Sequence, residues 1–211
     1  MASPRLSTNA PNPPIIPVVV LDNADDALPL ADALLEGGLT SIEMTLRTPA
    51  GLPAARAIAD QRPEMLVGLG TVLSPDDLQA CLDAGMHFTV SPGLSPALLD
   101  AVANSPIPHL PGCQTISDVM TCRERGLMDV KLFPASIAGG TAMAKAIGSV
   151  MPDMKVCPTG GIKADTAAVT LAEPNIFAVG GTWLTPKEAI AAKDWGQITK
   201  LARAATNSLQ S

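Results

Sequence analysis

Short apolar runs alternate with longer amphipathic stretches along almost the whole chain. Ile15–Leu21 is β-branched and brief, as a strand buried on both faces should be. Asp22-Asn23 then opens a stretch whose apolar side carries Ala27, Leu28, Leu30, Ala31, Leu34 and Leu35. Gly37-Gly38 closes it in the manner of a helix C-cap. The same rhythm predicts further strands over 41–45, 65–71, 88–91, 107–110, 130–133, 155–159 and 176–180. Helices are expected over 52–59, from Ser74-Pro75, from Ser95-Pro96, from Thr115, after Gly139-Gly140, over 164–171 and over 195–209. Ser74-Pro75-Asp76-Asp77 joins an N-cap, a first-turn proline and acids suited to the helix dipole.

Eight such units averaging about 25 residues predict an α/β protein folded as a single (β/α)8 (TIM) barrel over residues 15–211. An open doubly wound sheet would leave two parallel edges, and the sequence has no edge protection to offer them. Residues 1–14 are polar, with prolines at 4, 11, 13 and 14. They read as a flexible leader without the apolar core of a secretory signal.

Composition narrows the function. The chain of 211 residues is 47 % hydrophobic, enough for a sizeable core. Its net charge of −6 and lack of a Lys/Arg cluster argue against nucleic acid as partner. With three Phe, two Trp and no Tyr, a base-stacking surface has no raw material. Four scattered cysteines, without a CxxC pair, read as reduced thiols of a cytoplasmic protein. No apolar run reaches the ~20 residues of a membrane span, and no His or acid cluster has metal-ligand spacing.

In such a barrel the reacting groups stand at the carboxyl ends of the strands. Lys131 lies in Asp-Val-Lys-Leu-Phe-Pro, apolar on both sides, where strand alternation can turn it inward. An interior disfavours the ammonium relative to the neutral amine, the form that attacks a ketone. A structural lysine paired with Glu43 or Asp129 is the competing reading. Glu43, between Ile42 and Met44, could shuttle protons beside such an amine or merely neutralise Lys131 or Arg47. Arg47 offers a fork for a carboxylate, or is a plain loop arginine. Thr71 ends the third strand and Ser91-Pro92-Gly93 the fourth. Thr159-Gly160-Gly161 and Gly180-Gly181-Thr182 end the seventh and eighth, where barrels bind phosphate on backbone N–H groups. His87 and His109 read as structural, and Trp183 as packing under the last loop.

Six segments carry a family resemblance: 36–48 (EGGLTSIEMTLRT), 67–73 (VGLGTVL), 91–94 (SPGL), 131–135 (KLFPA), 157–162 (CPTGGI) and 179–184 (VGGTWL). Together they resemble the 2-keto-3-deoxy-6-phosphogluconate (KDPG) and 4-hydroxy-2-oxoglutarate (KHG) aldolases, and span nearly everything after the leader. The resemblance implies a class I lyase with Lys131 as Schiff-base lysine and Glu43 as acid/base. Arg47 and Thr71 match the groups holding the pyruvate carboxylate, and Pro92 and Phe133 those packed near the imine. Gly160, Gly161, Gly180, Gly181 and Thr182 match the phosphate end. It further implies a homotrimer, a phosphorylated 2-keto acid and pyruvate as ligands, no cofactor beyond the lysine imine, and a place in Entner–Doudoroff carbohydrate breakdown. Thr182 stands where Ser is familiar, and Leu132 where Phe is common. Thr159 replaces the Val of galactonate-type relatives and leans toward the gluconate epimer. The alternatives are KHG or the galactonate epimer as substrate with the same lysine, a phosphate-binding barrel isomerase or synthase with Glu43 as base, and a non-catalytic binding protein.

Overall fold

A computed structural model describes residues 3–209. The alternation seen in the sequence is realised as strands joined through helices, every strand pairing parallel to its neighbour. In chain order they run β1 (Ile15–Val19), α1 (Ala27–Glu36), β2 (Ser41–Thr45), α2 (Gly51–Gln61), β3 (Leu66–Gly70), α3 (Pro75–Asp83) and β4 (Phe88–Val90). There follow α4 (Pro96–Ala103), β5 (His109–Leu110), β6 (Gly112–Cys113), α5 (Ile116–Glu124), β7 (Asp129–Leu132) and α6 (Gly140–Val150). The last are β8 (Lys155–Pro158), α7 (Ala164–Leu171), β9 (Val179–Gly181), α8 (Lys187–Ala191) and α9 (Trp195–Asn207).

Six strands pair in the order β5-β4-β3-β2-β1-β9 and three in the order β6-β7-β8. Between β5 and β6 stands Pro111, which has no N–H to give to a ladder. That proline splits the single strand expected over 107–110 and carries it on to Cys113. Isolated bridges Val156↔Ile176 and Thr159↔Gly180 join β8 to the β9 segment. The result is an α/β fold around a curled parallel sheet.

Alternate strand residues fall into two apolar clusters. Ile15, Val19, Ile42, Met44, Val67, Leu69, Val130 and Leu132 pack outward with the helices. Ile16, Phe88, Val90, Leu110, Cys157 and Ala178 fill the concave side. Local chemistry sets the helix starts: Ser74 and Thr115 form capping boxes with Asp77 and Asp118, and the Ser95 side chain accepts the Leu98 N–H.

The expected leader needs correction over its described part, residues 3–14; Met1 and Ala2 lie outside the described residues. Residues Leu6–Asn9 form a 3₁₀ turn, and Leu6, only 2 % exposed, joins the concave cluster beside Phe88 and Leu110. Arg5 pairs with the buried Asp129 at 2.9 Å, and the Ser7 N–H donates to the same carboxylate at 2.7 Å. One apolar anchor and one buried acid hold this segment, whatever its polar and proline-rich composition suggests. Helix α8 is a further element outside the expected set, and the last helix stops at Asn207.

Candidate active site

Glu43 sits mid-way along β2, in register with Val18 of β1 and Gly68 of β3. Its neighbours Ile42 and Met44 face the outer cluster, so alternation turns the carboxylate to the concave side. Strand β3 makes room there. A Cβ on Gly68 would lie 2.3 Å from the Phe88 ring, and one on Gly70 would lie 2.1 Å from Glu43 Oε1. Across the concavity Lys131 occupies the same face of β7, in register with Gly112 and Cys157. Its Nζ stands 3.1 Å from Glu43 Oε1 and 3.5 Å from Oε2, and each side chain is 5 % exposed.

Of the two partners the sequence offered Lys131, the structure therefore joins it to Glu43; Asp129 is taken by Arg5 and Ser7. The Phe133 ring centroid lies 5.0 Å from Nζ, within cation–π range. The facing Cys157 thiol is pushed up to about 12 by burial, with the Lys131 charge pulling the other way. A buried amine in contact with a carboxylate and walled by apolar groups can add to a carbonyl and pass protons over one hydrogen-bond length.

The carboxyl ends of β2 and β3 bring two more expected residues together. The Leu46 N–H donates to the Gly70 carbonyl at 2.9 Å, and Arg47 Nε donates to Thr71 Oγ1 at 3.2 Å. Thr71 is held at φ 63°, a left-handed conformation that a β-branched residue adopts only under tertiary constraint. Arg47 is exposed. It lines a cleft of about 470 Å³ with Val18, Thr48, Thr182, Thr185 and Lys187. A larger cleft of about 700 Å³ near Asn12, Gly38 and Leu171 has no titratable lining residue; Lys131 and Glu43 line neither cleft and lie buried in the concavity.

The phosphate candidates lie after β8 and along and just after β9, with Thr182 sharing the Arg47 cleft. Gly160 and Gly161 take φ of +91° and +84°, values that favour glycine. The space over Gly160 is bounded by Phe133 and Pro134. Buried Thr159 packs its hydroxyl against Gly180, and the Trp183 ring covers Gly181. Thr182 is exposed at the end of β9. Pro92 is half-buried against Gly112, on the strand neighbouring β7.

His87 and His109 stand apart from this group. His87 Nδ1 accepts the Val67 N–H at 2.9 Å. His109 is buried with Thr89 Oγ1 and Ser91 Oγ on its two ring nitrogens. Burial first, and the Lys131 charge second, push its pKa down to about 3. Among the described residues no group of three or more His, Cys, Asp or Glu gathers as metal ligands, and no helix is long and apolar enough to cross a membrane. Sequence reasoning missed Gly70, whose signal is the Gly68-x-Gly70 spacing inside a strand. Thr185 and Lys187, which the sequence did not single out, line the Arg47 cleft.

Comparison with known proteins decides the family. A family model described as KDPG and KHG aldolase matches residues 7–201. The chain belongs to the KDPG and KHG aldolase family, whose members are carbon–carbon lyases. A 2-dehydro-3-deoxy-phosphogluconate aldolase of Pseudomonas aeruginosa is 43 % identical over 201 residues, covering 95 % of this chain and 91 % of the relative. A KHG/KDPG aldolase of Escherichia coli is 42 % identical over 192 residues, covering 91 % and 90 %. Among solved structures, a KDPG aldolase of Legionella pneumophila is 43 % identical with a TM-score of 0.88, covering 91 % of this chain and 93 % of that one. That crystal holds pyruvate as a covalent carbinolamine.

Proposed function

We propose that this protein is a class I aldolase that cleaves 2-keto-3-deoxy-6-phosphogluconate to pyruvate and glyceraldehyde 3-phosphate, with Lys131 as the Schiff-base nucleophile. The single observation that carries this reading is the buried Lys131–Glu43 contact at 3.1 Å on the concave side of the sheet. The Lys131 amine adds to the C2 ketone, and the carbinolamine loses water to give a protonated imine. Glu43 takes the C4 hydroxyl proton, the C3–C4 bond breaks, and its electron pair enters the imine to form an enamine. Glyceraldehyde 3-phosphate leaves with its new aldehyde. Glu43 returns the proton to C3, and water hydrolyses the imine to free pyruvate and the amine.

Arg47 and Thr71 hold the substrate carboxylate so that the ketone meets the amine at attack distance. Pro92 and Phe133 wall the imine. Thr159 contacts the sugar-acid hydroxyls and favours the gluconate epimer. Gly160, Gly161, Gly180, Gly181 and Thr182 present N–H groups and a hydroxyl to the phosphate. The imine is itself the electron sink, so the scheme needs neither metal nor organic cofactor. The pairings around the sheet support a closed (β/α)8 barrel as one catalytic domain, which takes in the N-terminal segment anchored by Leu6. A homotrimer in the cytoplasm completes the reading. The family description also names KHG, and its cleavage by the same lysine is the second reading, decided by kcat/KM on the two substrates.

The test is reductive trapping. Pyruvate with borohydride is expected to leave a reduced adduct on the peptide containing Lys131, and Lys131→Ala to abolish both adduct and turnover. A native protein that turns over KDPG without a trapped lysine would reject the mechanism. Glu43→Gln is expected to keep the adduct and lower kcat by about 10²- to 10⁴-fold.

A further inference from the structure

Two thiols that the mechanism does not use stand against each other behind the catalytic strand. Cys113 Sγ lies 3.6 Å from Cys122 Sγ. Cys113 ends β6, Cys122 belongs to α5, and both pack in the outer apolar cluster. The Cys122 contact first, and burial second, push the Cys113 thiol up, so the pair stays reduced against slow oxidants. Cys113 is 2 % exposed and Cys122 is fully covered, which makes Cys113 the sulfur that a small oxidant meets first.

Hydrogen bonds tie this pair to the site. Strand β6 is two residues long, and Cys113 is the register partner of Leu132, next to Lys131. The Cys113 carbonyl accepts the Phe133 N–H at 3.0 Å, and the Phe133 ring centroid stands 5.0 Å from Lys131 Nζ. Cys122 has the firmer seat. Its carbonyl accepts the Arg125 and Leu127 N–H groups, each at 3.0 Å, and its helix starts on the Thr115–Asp118 capping box. A disulfide needs its sulfurs about 2.05 Å apart, so closure from 3.6 Å asks for about 1.5 Å of approach. The short strand is the side that yields.

We propose that Cys113 and Cys122 form a peroxide-sensitive dithiol whose closure to a disulfide draws β6 from Phe133 and slows turnover at Lys131. The inference goes beyond the aldolase reading, on which only its turnover readout rests. The Cys113 thiolate attacks one oxygen of hydrogen peroxide, and the O–O bond breaks to leave a sulfenic acid and one water. The Cys122 thiolate attacks that sulfur, the S–O bond breaks, and the second oxygen departs as water. The two sulfurs give up two electrons in forming their bond, the peroxide takes them, and both thiol protons end in water. Thiol reductants reverse the change, as suits a transient disulfide of a reducing compartment.

Native protein, Cys122→Ala and Cys113→Ala are pulsed with excess hydrogen peroxide, quenched with catalase, and assayed for KDPG cleavage before and after dithiothreitol. Remaining thiols are then blocked, and proteolysis before Asp118 puts the two cysteines on different peptides. The pulsed native protein is expected to lose two hydrogens in mass and to yield those peptides joined. Its kcat is expected to fall about 10- to 10²-fold, the scale on which an ångström of misplacement acts, and to return with dithiothreitol. Each variant is expected to match the native kcat before the pulse, and to show neither the cross-link nor a comparable reversible loss; either one suffices if the other fails to fold. Two free thiols at 113 and 122 in the pulsed native protein, or a cross-link without loss of kcat, overturns the inference. So does the same reversible loss in the variants, which places the oxidation at Cys157, the register partner of Lys131.

Discussion

A methyl group on residue 70 would stand 2.1 Å from Glu43 Oε1, so the acid at the heart of the site is placed by a hydrogen atom on the neighbouring strand. Gly70→Ala is expected to push the carboxylate off Lys131, lowering kcat at least about a hundredfold while costing about 1–3 kcal/mol of stability from overpacking. Steady-state kinetics and a urea titration on one preparation check both. Another residue governs the acid limb of stability. His109 is held near pKa 3 against 6.5 in the free side chain, so between those values the unfolded chain binds a proton that the native one refuses. Its contribution is complete above pH 6.5 and is lost as pH falls toward 3, at up to about 1.4 kcal/mol per pH unit. Unfolding free energies at pH 7.5 and 5 should therefore differ less in His109→Asn than in the native protein. Lys131 and Glu43 were legible at this scale, because a lone charge between Val130 and Leu132, or between Ile42 and Met44, breaks a buried strand pattern. Thr71 was legible as a strand end only. Its left-handed backbone and its bond to Arg47 arise from loops joined through β2–β3 pairing, which no local window contains.

Among the elements, the helix starts at Ser74, Ser95 and Thr115 were readable because their caps are local side-chain chemistry. Strand β2 and helix α7 fall where the hydrophobic period places them. The split at Pro111 and the five-residue α8 were not readable, since one depends on sheet register and the other is too short to show a period. The N-terminal segment misled for a different reason: ten polar or proline positions among residues 3–14 outweigh one leucine in any compositional reading. Yet Leu6 fills the floor of the concavity and Asp129, two residues before Lys131 on the same strand, anchors Arg5 and Ser7. Leu6→Ala is expected to cost about 2–5 kcal/mol, the range for a buried leucine that leaves a cavity, read as a lower urea midpoint at unchanged slope.

Across the whole molecule, the pairing that curls the sheet is uneven. Strands β2 and β3 share five consecutive register pairs, whereas β8 and the β9 segment meet at two isolated bridges, Val156↔Ile176 and Thr159↔Gly180. This order follows from contacts remote in sequence, so hydrophobic rhythm announced the strands without ranking their attachments. A curled sheet stitched this way has a seam, and breathing motions should begin there. Native-state amide exchange is expected to be slowest over Ile42–Met44 and Val67–Leu69 and fastest, among the strands, over Ile176–Gly180. Thr159 and Gly180 form one of those bridges beside the rim proposed for the phosphate, so fast exchange there would mean that the anionic tail of a sugar acid meets the least firmly sewn part of the wall.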